Sequence, residues 1–449
     1  MNKKLILTSI LVFLCIYTNA QCWKSISTGS STLGIKPDGT LWGWGGNPYG
    51  SLGNGTTNYT FSPIPIGSDT DWKIVIAGHG RTMAIKNDGS LWAWGYNGNG
   101  ELGDGTIKNK LIPTRIGTDT DWKEVALGLQ HTLAIKTDGS LWAWGDNYSG
   151  QLGNNTTINS YVPKRIGTAN DWKSISAGYY HTLALKTDGS LWAWGSYWYI
   201  DYATQNTKIP NMIGIDNDWK SITAGDGTSM AIKNDGSLWA WGKNDYGQLG
   251  DGTTTIRFIL TRIGTDNDWQ NVARGSRYTL ALKTNGSMWA WGDNYIGQLG
   301  DGTVISKTIP TRIGTANDWK IILANGNLGM ALKTDGSRWA WGNNTGGDFG
   351  DGYVVSALSP REITTASCVL AVSDATTSAI QIYPNPARDY FSIKSKEIKQ
   401  VQLYSLDGKL VKEYPASEKY SVNGLAKGIY IIKAQLENGK VISDKIVKE

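Results

Sequence analysis

The chain has 449 residues, a formal net charge of +5, 22 tryptophans, 21 tyrosines, 56 glycines and three cysteines. Its length exceeds one ordinary hydrophobic core, so a large architecture plus a smaller module is expected. Between Gln21 and Cys368 it carries 29 Lys/Arg and 29 Asp/Glu; that balance argues against a phosphate-tracking surface, and no nucleic-acid partner is expected.

The first element is residues 1–20. "MNKK" is a basic leader, "LILTSILVFLCIY" is an apolar run too short to span a bilayer, and "TNA" before Gln21 is a small-residue cleavage site. A cleaved signal peptide is predicted, with a mature chain that is secreted or held at the cell surface and has no membrane span. Leu14 and Gln21 precede Cys15 and Cys22, and neither is the small residue that lipid attachment requires.

Residues 21–368 are repetitive. Trp23, Trp72, Trp122, Trp172, Trp219, Trp269 and Trp319 open seven units, six of them after an Asp. Each unit holds two short alternating runs, an Asp-Gly or Asn-Gly pair that predicts a type I′ hairpin, a third run such as "SLWAWG", a Gly-rich stretch and a last short strand. Four strands per 47 to 50 residues, without any helical period, predict an all-β fold: a seven-bladed β-propeller. Ring closure would bring Cys22 and Cys368 together. A disulfide there would contribute up to about 5 kcal/mol in the chain-entropy model; two free thiols are the alternative.

The repeated residues read as scaffold. Trp142 and Trp144 are two apart and share one strand face, with Leu141 and Ala143 on the other; repeated in every unit, they point to packing between blades rather than sugar stacking. His131 and His181 share a column with Arg81, Thr228, Tyr278 and Leu328 and read as structural. No catalytic residue, metal ligand or cofactor is expected, and the chain is predicted not to be an enzyme.

"GYYHTLALKTDGSLWAWG" and "WGDNYIGQLGDGT" resemble the repeat of the regulator of chromosome condensation family, a seven-bladed propeller. The resemblance implies the scaffold. Nucleotide exchange on a nuclear small GTPase is not expected of an exported chain.

The fourth unit departs from the pattern. Where the others carry a Gly-rich stretch it reads "SYWYIDYATQNT". A four-strand meander brings its first and third loops to one end, which gathers Tyr179, Tyr180, Tyr197, Trp198, Tyr199, Asp201 and Tyr202 into a candidate binding site. Tyr49, Tyr148, Tyr246 and Tyr295 extend it as an aromatic rim. Loss of the Gly-rich stretch with apolar refilling is the alternative reading.

A polar linker at 369–379 precedes residues 380–449. "IQIYPNPARDYFSI", "VQLYSLDGKLVKEY" and "LAKGIYIIKAQLENGK" are similar to the type A C-terminal sorting domain of the type IX secretion system of Bacteroidota. That resemblance implies a small β-sandwich and the secretion machinery as a partner. The whole reads as a monomeric exported binding module for an extracellular protein or glycan. A polysaccharide-binding adhesin and a propeller enzyme acting on glycans are the alternatives.

Overall fold

The computed structural model describes residues 23–196, 206–363, 381–394, 398–405, 409–437 and 441–449. The expected signal peptide and linker, Cys22 and Cys368, and Tyr197, Trp198, Tyr199, Asp201 and Tyr202 lie outside the described residues. The chain divides into two compact units, Met1–Thr365 and Ala366–Glu449.

The first unit holds seven four-stranded antiparallel sheets, each a contiguous repeat with its strands in sequence order. Blade 3 is representative, with Trp122–Leu127, His131–Lys136, Leu141–Gly145 and Ser160–Arg165. The two middle strands are nearly continuous runs of apolar and small residues because both of their faces are covered. The outer strand is half exposed.

Each blade has two unlike faces. Leading Trp122 packs edge-on against Trp142 at 5.7 Å and Trp144 at 6.1 Å. This tryptophan face lies on Met83, Ile85, Leu91, Ala93, Leu102 and Ile116, the aliphatic face of blade 2. Trp144 is fully buried there, and its indole N–H donates to the Glu101 carbonyl of the blade 2 loop at 2.8 Å. Trp142 stays partly exposed and donates within its own blade, to Ser140 Oγ at 2.9 Å. The expected inter-blade role therefore belongs mainly to the second tryptophan of each pair.

The ring closes with the same contact. Trp23, Ile26 and Trp44 of blade 1 pack on Leu328, Met330, Leu332 and Phe349 of blade 7. Trp44 donates to the Asp348 carbonyl at 2.9 Å, as Trp94 does to Ser51 at 2.8 Å between blades 1 and 2. Gly352 N–H also reaches the Phe61 carbonyl at 2.8 Å.

The Asp-Gly hairpins correct the type I′ expectation. Gly139 has φ +79°, but positive φ among described non-glycine residues occurs only at Tyr49 and Asn155. Lys136 N–H bonds Ser140 O at 3.1 Å and Gly139 N–H bonds Lys136 O at 3.0 Å, which makes a type I turn followed by a glycine bulge. The Asp138 carboxylate explains the preference: it accepts the Ser140 N–H at 2.9 Å and the Ser140 hydroxyl at 2.6 Å, a local cap that holds the aspartate at negative φ.

The second unit contains a sheet of Gln381–Tyr383, Tyr390–Lys394 and Tyr420–Ser421. A second sheet has the order Leu410–Pro415, Ile398–Tyr404, Gly428–Leu436, Val441–Lys448. Phe391, Val401, Leu403, Tyr420, Ile432 and Ile446 share one core, giving the expected small β-sandwich.

All 22 tryptophans precede residue 342, so indole fluorescence reports the propeller alone. Trp44→Ala at the ring seam and Trp144→Ala inside the ring should each cost about 3–5 kcal/mol in urea denaturation. A seam variant that costs under a third of the internal one would show that the ring does not close this way.

Candidate binding face of the propeller

The loops between strands 1 and 2 and between strands 3 and 4 leave every blade at one end and are tied together. Asp146 N–H donates to the Gln130 carbonyl, and Ser196 N–H to the Tyr180 carbonyl, each at 2.8 Å. Neighbouring blades are linked there too: Leu129 N–H reaches Gly178 O and Tyr179 N–H reaches Gly225 O, both at 3.3 Å.

Beneath these loops lies a buried polar belt, the column that contains His131 and His181. Arg81 donates to the carbonyls of Leu129 at 2.7 Å and of Gly128 and His131 at 2.9 Å in the next blade. His131 Nε2 lies 3.2 Å from Thr182 Oγ1, and His181 Nε2 lies 3.0 Å from Ser229 Oγ. The Tyr278 hydroxyl donates to the Leu328 carbonyl. Burial pushes both imidazoles down to about 3, so they are neutral at physiological pH. The belt stitches blade to blade.

At the axis the strand 1–2 loops surround a cavity of about 130 Å³. Its polar lining includes His79, Tyr179, Asp226, Arg274, Ser276 and Asn325, one or two residues from each of five blades. The Tyr179 ring of blade 4 meets His79 of blade 2 edge-on at 5.3 Å, and burial raises its hydroxyl above the usual range although Ser276 of blade 6 acts to lower it. Burial raises the Asp226 carboxyl above its ordinary range against the pull of Lys243, Arg274 and Arg277. Burial and the nearby Arg81 lower His79.

Further tyrosines stand on the loops at this end of the blades. Tyr180 packs edge-on against Tyr179 at 6.4 Å, and Tyr49 lies 4.9 Å from Tyr96. Tyr148 and Tyr295 are 82% and 81% exposed. Tyr246 is covered by the Arg277 guanidinium at 4.5 Å and is only partly exposed. Of the sequence-predicted site residues, Tyr179 and Tyr180 are thus brought together on this face. His79, Asp226, Arg274 and Ser276 were not singled out from the sequence. For His79, Asp226 and Ser276 the signal was the position after the loop glycine, which reads His79, Leu129, Tyr179, Asp226 and Ser276 in blades 2 to 6; Arg274 stands one place before that glycine, where the other four carry Ala77, Leu127, Ala177 and Ala224. Among the described residues no group of three His, Cys, Asp or Glu could hold a metal ion.

A model of the RCC1-like domain matches residues 73–380. The chain belongs to the RCC1-like domain family. A single regulator of chromosome condensation repeat matches residues 38–85, and a secretion system C-terminal sorting domain matches residues 381–449. This RCC1-like chain is therefore a β-propeller joined to a type IX sorting domain, a secreted or cell-surface binding module. Its propeller resembles human WBSCR16, at 20% identity over 73% of this chain and 94% of that one, with a TM-score of 0.66. It also resembles Prp20p of Saccharomyces cerevisiae, at 23% identity over 67% and 80% of the two chains, with a TM-score of 0.60. These likenesses concern the fold. Beta-agarase D of Zobellia galactanivorans is 32% identical over 72 residues, which are 16% of this chain and 15% of that protein. No helix among the described residues is long and apolar enough to cross a membrane.

The belt histidines set a pH dependence. Their folded values of about 3 lie below the ordinary histidine value near 6.5, so their contribution is complete above pH 6.5 and is lost as pH falls toward 3. At pH 5 each histidine should cost about 2 kcal/mol relative to pH 7. A His131→Thr/His181→Thr variant, which copies Thr228 of blade 5, should flatten urea midpoints between pH 7 and 5. An unchanged slope would place the acid sensitivity elsewhere.

Proposed function

We propose that the propeller binds an extracellular protein through the face that carries the axial cavity and the tyrosine rim, and that it acts as a monomeric binding module rather than an enzyme. The size of the cavity carries this reading. Sites that enclose a small molecule measure roughly 300–1,000 Å³, whereas this one offers about 130 Å³, enough for a single projecting side chain. The loops at the same end of the blades also expose Tyr148, Tyr180 and Tyr295, amphipathic groups that lose little conformational entropy on contact and are enriched where binding energy concentrates.

Catalysis is supported less well. Glycoside cleavage draws on two carboxyl groups about 5–9.5 Å apart, and the cavity lining supplies one, Asp226. Polysaccharide binding is the second reading, favoured by the exposed rings of Tyr148 and Tyr295, whose faces could stack on sugars. The sorting domain supplies the address, and the cavity and rim supply the contact.

A Tyr148→Ser/Tyr180→Ser/Tyr295→Ser variant should keep its melting temperature within a few degrees, since these rings are exposed. It should lose at least about tenfold in affinity for surfaces of co-cultured cells to which the labelled wild-type chain binds saturably. Protease treatment of those cells should abolish binding. Binding that survives protease and appears on a glycan array would transfer the function to polysaccharide.

A further inference from the structure

The titratable side chains that line the axial cavity are His79, Tyr179, Asp226 and Arg274. They differ in how far their bonding is complete. Arg274 is engaged by its own wall: Nη1 donates to the Gln248 carbonyl at 3.0 Å and to Thr279 Oγ1, while Nε and Nη2 are closed off from solvent. A carboxylate entering the cavity therefore finds no donor of this guanidinium within reach. His79 is held below its ordinary range by burial and by Arg81, which leaves the imidazole neutral near pH 7 and without repulsion toward a cation.

Asp226 is the group left open. It stands at the tip of the loop between Trp219–Ala224 and Thr228–Lys233, where the Gly227 N–H closes on the Gly225 carbonyl at 2.9 Å and the Gly225 N–H on the Thr228 carbonyl at 2.8 Å. This tight turn brackets Asp226 and fixes its backbone beside the axis. Among the described residues no hydrogen bond and no ion pair reaches its carboxylate; Lys243, Arg274 and Arg277 act on it only through longer-range attraction. Lys243 lies 3.8 Å from Asp245, and Arg277 covers the Tyr246 ring at 4.5 Å; neither lines the cavity. Burial outweighs all three cations, since the carboxyl is raised above its ordinary range. Asp226 thus lines the cavity with its desolvation uncompensated.

The surroundings favour a cation over an anion. The loop N–H groups of Ser30, Leu129, Tyr179 and Ser276 are engaged by glycine carbonyls of the next blades, Gly78, Gly178, Gly225 and Gly326, so these donors offer an anion no nest. Asn325 Nδ2 donates to the Gly29 carbonyl at 2.5 Å, which leaves Oδ1, an acceptor, as the free end of that amide. Tyr179 adds an aromatic surface. Its hydroxyl is held above the ordinary tyrosine range by burial and by Asp226, so ring and carboxylate stand in each other's field.

We propose that the axial cavity takes one cationic side chain, a lysine or an arginine, projecting from the partner protein, with Asp226 as its counter-ion and Tyr179 as its aromatic wall. This rests on the reading of the axial face as the contact surface, and it names the residue type which that face selects. The cation would form the ion pair that no described group of the chain forms, in a cavity whose volume of about 130 Å³ admits a single side chain. Away from bulk water such a pair is stronger than one at an exposed rim. Asp226 is then the specificity-determining residue of the face.

The test is isothermal titration calorimetry of the full chain with acetylated, amidated pentapeptides that carry lysine, arginine, glutamine or glutamate between pairs of glycines. The lysine or the arginine peptide should bind at least about tenfold more tightly than the glutamine peptide, and the glutamate peptide should not bind. Asp226→Asn preserves shape and breaks no hydrogen bond or ion pair, so its melting temperature should stay within a few degrees. It should bring the cationic peptides to the glutamine level, whereas Asp226→Glu, which keeps the charge, should keep the preference. Glutamate binding as well as lysine, an unchanged lysine and arginine preference in Asp226→Asn, or no binding of either cationic peptide at tens of millimolar would overturn the proposal. Binding to co-cultured cells separates it from the broader reading. If Tyr148→Ser/Tyr180→Ser/Tyr295→Ser loses cell binding while Asp226→Asn retains it in full, the face stands and its choice of a cation falls. If the peptides show the preference but neither variant changes cell binding, the cavity's choice stands and the face is not the contact surface.

Discussion

The architecture depends on one contact made seven times, a tryptophan face laid on the aliphatic face of the preceding blade; among the described residues six of these are fixed by an indole N–H on a loop carbonyl. Such a contact is heterologous, because the two surfaces differ, and copies of it either close into a ring or run on indefinitely. Here the partners lie 43 residues apart within the chain, as with Trp94 and Ser51, and 304 apart at the seam, where Trp44 meets Asp348. No strand is exchanged at the seam: blade 1 begins at Ser25 and blade 7 ends at Glu362, each from contiguous chain. Closure therefore rests on side-chain burial and loop hydrogen bonds of the kind that join every other pair.

That constraint divides the residues into those the ring needs and those it leaves free. The leading tryptophan, the second tryptophan of each pair and the aliphatic strand face are committed to packing. The buried column from Arg81 to Leu328 tolerates arginine, histidine, threonine, tyrosine or leucine, provided the side chain is buried or reaches the next blade. The residue after the loop glycine is less constrained, and histidine, leucine, tyrosine, aspartate and serine occupy it in blades 2 to 6. A rigid backbone that presents unlike side chains around one axis is a scaffold for recognition.

Repetition made the fold legible. The tryptophan spacing, the alternating runs and the loop glycines specify four strands per unit without reference to any contact. What it hid were features assembled across units. Tyr179 was legible as an aromatic beside Tyr180, but its ring partner His79 stands two blades away, and Ser276, which lines the same cavity, two blades on the other side. Only closure of the ring brings them together. The hairpin was misjudged for a local reason: Asp-Gly favours a two-residue turn in isolation, but a serine directly after it offers the carboxylate two donors and stabilises the longer loop.

A repeat also supplies its own controls, because a departure in one blade can be compared with six equivalent environments. Lysines stand over paired indoles in every blade, and in blades 2 to 7 aspartates neutralise them, as Asp119 and Asp121 do for Lys136 at 2.7 and 3.0 Å. In blade 1 the leading tryptophan follows Cys22 rather than aspartate, and Lys36 keeps the indole at 3.4 Å while burial lowers its pKa. That exception falls at the seam, where the repeat begins.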